Sequence, residues 1–285
     1  IIVGRNSTCY IENISFKSEN LGGNNIAINV YGNVYISNSE IEIYSLTSSL
    51  NTVTIAVYGN LFSNVSIEKS NIVAKSDFGR VDGVCVGDVG RITDSNIVAC
   101  ANYQSDENDF TSCAIGCNNL GSIQVNNCVI YGVHSGINSR GSLFVDGGVY
   151  SGYGHGGIYC AGIDKTYKIK NSTILQAEMP IGYEDMGVGC MQGGLYIGGG
   201  KNQDNINVFI DNCMIKSDKN SIVLRGTSGE KNNSLYISNT TIDVKHIRID
   251  NDTHRIYIGA GCNFEAFDTD IPDVVVYTGD VYLKN

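Results

Sequence analysis

The chain has 285 residues, a formal net charge of −10, 17% charged residues, 34 glycines, 2 prolines and no tryptophan. So acidic a balance disfavours nucleic acid and anionic membrane surfaces as partners, because little basic charge is present to neutralise phosphates. No run of about 18 apolar residues occurs, so no membrane insertion is expected.

The opening elements set the pattern. INVYGNVYISNSEIEI (28–43) alternates apolar and polar residues, pauses at Gly32-Asn33, alternates again and pauses at Asn38-Ser39. Alternation of period two between turn residues predicts three short strands. The same frame returns at 54–72, 83–97, 114–130, 136–149, 157–174, 206–215, 221–242 and 247–264, and VVYTGDVYL (275–283) restates its opening phrase. Aligned on one another, these segments place Asn13, Asn38, Lys69, Asp94, Asn127, Gly147, Asn171, Asn212, Asn239 and Ala260 in one column. A fixed three-strand frame with an elastic period is the sequence pattern of a stacked solenoid, in which each coil buries its apolar face only against its neighbours.

The expected fold is therefore all-β: a single-stranded right-handed parallel β-helix (solenoid) of about ten coils. It forms one domain over residues 1–285 and reads as a fragment of a longer chain. Right-handedness follows from the strong bias of strand–crossover–parallel strand connections. Ile28, Ile55, Val84, Ile115, Ile137, Ile158, Ile222 and Ile247 should point inward, and so should the residues two further on. Asn29, Ala56, Cys85, Gly116, Asn138, Tyr159, Val223 and Arg248 should face outward between them. The Asn column should mark a sharp corner, where a left-handed backbone is tolerated and side-chain amides reach the coils above and below.

Ten cysteines would suit a disulfide framework in a secreted chain. However, Cys113 and Cys117 lie on one predicted strand, roughly 13 Å apart at about 3.3 Å per residue, too far to bridge. Others stand where neighbouring repeats carry Val or Ser, so buried free thiols are expected.

Two insertions leave the frame at equivalent places, just ahead of the inward Ile column. ACANYQSDENDFTSC (99–113) carries Asp106, Glu107 and Asp109, which could hold Ca²⁺. LQAEMPIGYEDMGVGCMQGG (175–194) carries Glu178, Glu184 and Asp185 with Tyr183. Between them, His134 and His155 each precede a column Ile by three residues, so they should stack one coil apart, with Asp82 at the same corner two coils earlier. Imidazoles beside acidic loops could do acid–base work or hold a metal, and equally could pack as rings in a turn. The abundant tyrosines suggest sugar-stacking positions: Tyr31 and Tyr58 in one outward column, Tyr153, Tyr159 and Tyr183 near the histidine corner, and Tyr35, Phe144, Lys168, Phe209, Tyr236 and Tyr257 in another column.

The repeat resembles the pectin-lyase-like right-handed parallel β-helix superfamily over nearly the whole chain. That resemblance implies the fold and leaves the activity open, because the superfamily holds lyases, hydrolases, tailspikes, adhesins and non-catalytic binding proteins. GYGHGG (152–157) is similar to the Gly-His-Gly element of polygalacturonases, but the paired carboxylates that glycoside hydrolysis requires have no Asp-Asp counterpart here. Arg80 and Arg140, candidate bases for a lyase, fall in no motif of that family.

The expected function is thus a non-catalytic, extracellular carbohydrate-binding or adhesive module of a cell-surface or virion protein. Its partner is a polysaccharide or surface glycan, no cofactor is required, Ca²⁺ is possible, and association is possible through coil ends or lateral faces. The alternative is a polysaccharide lyase or glycoside hydrolase acting on an acidic polysaccharide, with His134, His155, Asp82, Glu184 and Asp185 as its site. A second alternative is a structural phage tailspike segment.

Overall fold

The structure, a computed structural model, describes residues 1–46, 52–103, 112–177, 193–198, 205–217, 220–224, 233–244, 256–258, 263–267, 275–276 and 281–283. Among these, all regular structure is β-strand, and no helix is long and apolar enough to cross a membrane. The strands wind into a right-handed parallel β-helix with three faces.

The first face is an 11-stranded sheet running from Ile2–Val3 through Asn25–Val30, Val53–Gly59, Arg80–Val86, Cys113–Cys117, Ser135–Ser139, Gly156–Cys160, Gly193–Ile197 and Asn220–Leu224 to Ile256–Ile258 and Val275–Val276. Every recorded pairing on it is parallel. The other strands form a 17-stranded sheet folded into a second and a third face. The fold is visible in Ser122–Gly132, Ser142–Gly152 and Thr166–Gln176, each of which runs unbroken through the corner between those two faces.

The predicted corner column is real. Asn13, Asn38, Lys69, Asp94, Asn127, Asn171, Asn212 and Asn239 all have φ between 47° and 56°, and Gly147 has φ 73°; Ala260 lies outside the described residues. One left-handed residue turns the chain sharply, and Asn tolerates that backbone better than most residues do. Some of the side-chain amides tie neighbouring coils as expected: Asn127 Nδ2 donates to Asp94 Oδ1 at 2.8 Å, and Asn212 Nδ2 to Asn171 Oδ1 at 2.8 Å. The residue after the corner adds a second ladder. The Ser39, Ser70 and Ser95 hydroxyls each donate to the carbonyl two residues back, at 2.7, 2.8 and 2.7 Å. They also accept the amides of Ile14, Ser39 and Ser70 from the preceding coil at 3.3, 3.1 and 3.1 Å. Cys128 and Cys213 take the same place, their thiols donating to the carbonyls of Asn126 and Asp211. A Ser-for-Cys column therefore has a hydrogen-bonding cause, and the eight described cysteines are all free, six of them buried.

The core is a continuous stack in which Ile28, Val57, Val84, Ile115, Ile137, Ile158, Leu195 and Ile222 form one inward row. Three expectations need correction here. Val57, not Ile55, stands beside Ile28; Ile55 pairs with Ile26 and Asp82 instead. A slip of two residues preserves the alternation of side chains, so the apolar pattern could not distinguish the two registers. Ala56 accordingly lies in the core rather than outside: each first-face strand bends where a small residue (Ala27, Ala56, Gly83, Ala114) turns inward next to the aliphatic one. Leu195 belongs to a first-face strand, Gly193–Ile197, whose first two residues the repeat assigns to the insertion 175–194. Ile247 and Arg248 lie outside the described residues, and the rung beside Ile222 is Ile256.

Candidate functional site

The outward row of the first face runs Asn29, Tyr58, Cys85, Gly116, Asn138, Tyr159, Tyr196 and Val223, and the backbone of Val223 pairs with that of Tyr257. Tyr58 stands in it, but Tyr31 does not; Tyr31 lies two residues beyond, in the turn, because the register differs by two from the expected one. Nor does Tyr257 join the second-face column, whose rung beside Tyr236 is Glu265.

At the upper part of the row, rings gather. His134 and His155 stack edge-on with centroids 4.4 Å apart, and the His155 amide donates to the His134 carbonyl at 3.0 Å. His155 also lies 4.4 Å from Tyr159 and 4.6 Å from Tyr196, and those two tyrosines meet edge-on at 5.2 Å. His134, Tyr153 and Tyr196 are buried, whereas His155 and Tyr159 are half-buried. Burial pulls the His134 imidazole down to about 4, so it is neutral at physiological pH.

The glycines of GYGHGG have structural work in this arrangement. A Cβ on Gly154 would come within 2.4 Å of the His134 ring, and Gly156 has φ +81° with a neighbouring coil's Gly193 carbonyl against it. The motif is thus what a buried imidazole beneath a tight turn needs.

Lower on the face, Asp82 is fully buried and gripped by Arg80, whose Nε and Nη2 lie 2.7 and 2.6 Å from one carboxylate oxygen. The Cys113 amide donates to its other oxygen at 3.1 Å, and the thiols of Cys85 and Cys113 approach at 3.4 and 3.5 Å. Burial pushes the Asp82 carboxyl up, against the opposing pull of Arg80. Burial, then Asp82, also raises both thiols well above their usual range, so neither is a ready nucleophile. Asp82 stands two coils before Ser135, the neighbour of His134, about 10 Å along the axis, the spacing expected from the repeat, and it is engaged by Arg80. Arg80 and Asp82 are neighbours in the sequence reading as well, but the two thiols on that pair are not legible there, because Cys113 comes from the next coil and only the register brings it in.

Glu184, Asp185, Tyr183, Asp106, Glu107 and Asp109 lie outside the described residues. Among the described residues, no group of three or more His, Cys, Asp or Glu side chains is placed to hold a metal ion. On the second face, Tyr10 stacks on Tyr35 with centroids 5.1 Å apart, and Phe209 on Tyr236 at 4.8 Å. In these pairs the facing rings cover one another, while Tyr10, Tyr35 and Phe209 remain exposed.

No family model and no curated protein matches the chain. Among solved structures, the tailspike protein gp49 from Pseudomonas phage LKA1 is similar, with a TM-score of 0.53 over 97% of this chain and 14% sequence identity. The chain spans 48% of that protein's length. At this identity the likeness concerns the fold, and it agrees with the parallel β-helix reached above from the repeat.

Proposed function

We propose that this chain is the β-helical body of a virion or cell-surface spike that binds a surface polysaccharide along its first face without cleaving it. The observation that carries this reading is the outward row from Tyr58 to Tyr159, in which two half-buried rings flank a stretch of small and amide side chains. Amphipathic rings of this kind suit sugar stacking, with the hydroxyl still able to reach water. The fold likeness to a phage tailspike supports a spike body. The paired use of Asp82 by Arg80 and the neutral, buried state of His134 favour binding over acid–base chemistry at the histidine corner.

The test is a glycan-array screen with and without Ca²⁺, run beside a reducing-end release assay on every hit. Binding without product release is the expected result. Product release abolished by His155→Ala would overturn it in favour of an enzyme, and Ca²⁺-dependent binding would draw Asp106, Glu107 and Asp109 into the site.

A second reading, a structural spike segment that associates laterally, draws on a different observation. The corner between the first and second faces exposes Leu61, Phe62, Leu120 and Ile163 at 53%, 80%, 73% and 42%. They fall in every second turn of the solenoid, with Asp88 and Arg140 in the turns between, and space exposed apolar side chains along its axis. Light scattering should report an oligomer that Phe62→Ser weakens if this reading holds, and a monomer at every concentration if it does not.

A further inference from the structure

A cavity of about 450 Å³ opens on the first face below the ring cluster. Gly116 lines it, flanked in the outward row by Cys85 on one side and Asn138 on the other. From Cys85 to Asn138 is two coil steps, about 9.6 Å, and nothing projects from the residue between them. A Cβ at Gly116 would meet only the thiols of Cys113 and Cys85, at 3.3 and 3.8 Å. The gap is therefore floored by a backbone and two polarizable sulfurs, with Tyr58 at its lower end.

Its borders carry charge of one sign. Arg80 and Arg140 both line the cavity, in a chain whose net charge is −10. Arg80 directs Nε and one Nη at Asp82, which leaves part of its five-donor fork for another acceptor. Arg140 is exposed at the turn after Ser135–Ser139 and meets no carboxylate among the described residues. Beside it, the Asn138 Oδ1 is buried without a hydrogen-bond partner. A buried acceptor in that state is unfavourable, and a ligand hydroxyl would relieve it.

We infer that this cavity binds an anionic sugar residue, a uronate or similar carboxylate-bearing pyranose within an oligosaccharide. Its carboxylate lies on the planar fork of Arg140, which matches that group bidentately. The less polar face of the ring covers Gly116 and the two thiols, one hydroxyl donates to Asn138 Oδ1, and the unused donors of Arg80 meet oxygens at the far border. The inference rests on the glycan-binding reading above and names the class of glycan.

The experiment titrates the intact chain with a set of uronate tetrasaccharides, each paired with its carboxyl-reduced neutral counterpart, by calorimetry at low and at 0.5 M salt. The expected result is a preference for at least one acidic member of about tenfold or more, shrinking as salt rises. Arg140→Gln should remove the preference, Arg140→Lys should retain part of it, and Gly116→Leu should block acidic and neutral binding alike. Circular dichroism melts of each variant separate loss of binding from loss of fold. Equal affinity for acidic and neutral partners, or an undiminished preference in Arg140→Gln, overturns the inference while the glycan-binding reading stands. Failure of every glycan, acidic or neutral, sinks both.

Discussion

At the scale of single residues, the corner serines have the clearest stake in stability. Ser70 accepts the Ser39 amide at 3.1 Å and donates to the Glu68 carbonyl at 2.8 Å. Ser70→Ala should therefore leave a buried amide unmet and lower stability by about 1–3 kcal/mol. Ser70→Cys should cost less, because Cys128 and Cys213 already occupy this position in other coils. Denaturant unfolding of the two variants side by side checks the difference. His134 gives a pH dependence of definite sign. Burial holds its folded pKa at about 4, below the ordinary imidazole value of about 6.5, so the unfolded chain binds the extra proton. The stability it contributes is full above pH 6.5 and is lost as pH falls towards 4, by up to roughly 3 kcal/mol. Asp82, whose carboxyl burial raises, works in the opposite sense, so the measurement is the difference between the native chain and His134→Gln at pH 7.5 and pH 4.5. A difference that does not change between the two pH values would exclude a neutral buried His134.

At the scale of strands and turns, the left-handed corner was legible because it constrains residue type directly: a positive φ selects Asn, Asp or Gly, and those letters recur in register. The inward rows were legible for a similar reason, since alternation of period two survives any insertion at a corner. What was not legible was register along a strand. VTIAVYG offers two aliphatic pairs two residues apart, and only the stacked neighbour decides which one faces Val84. The same slip misplaced Tyr31 and hid the row that links Tyr58 to Gly116 and Tyr159. The turn around Tyr153 and Gly154 makes a separate prediction. Because a methyl at Gly154 would press on the His134 ring at 2.4 Å, Gly154→Ala should lower the apparent melting temperature, and the double variant Gly154→Ala/His134→Ala should recover part of the loss. Additive losses would mean that the glycine serves the backbone alone.

At the scale of the whole molecule, the repeat specified the solenoid, whereas the candidate site depends on burial that no single coil encodes. Nothing in the segment RVDGV marks Asp82 as buried, yet in the stack it is fully buried. Its environment is supplied by the coil above, through the amide and thiol of Cys113. In a nearest-neighbour architecture of this kind, sites arise at coil interfaces, so residue types that look unremarkable in each repeat acquire their chemistry only when stacked.

Because all three faces are parallel ladders, the backbone hydrogen bonds between coils point along the solenoid axis. Tension applied end to end therefore loads all rungs of one interface together, while the interfaces themselves follow one another in series. The force such a shaft withstands is set by its weakest pair of adjoining coils and does not depend on how many coils it contains, so a shaft of this design can be long without becoming fragile.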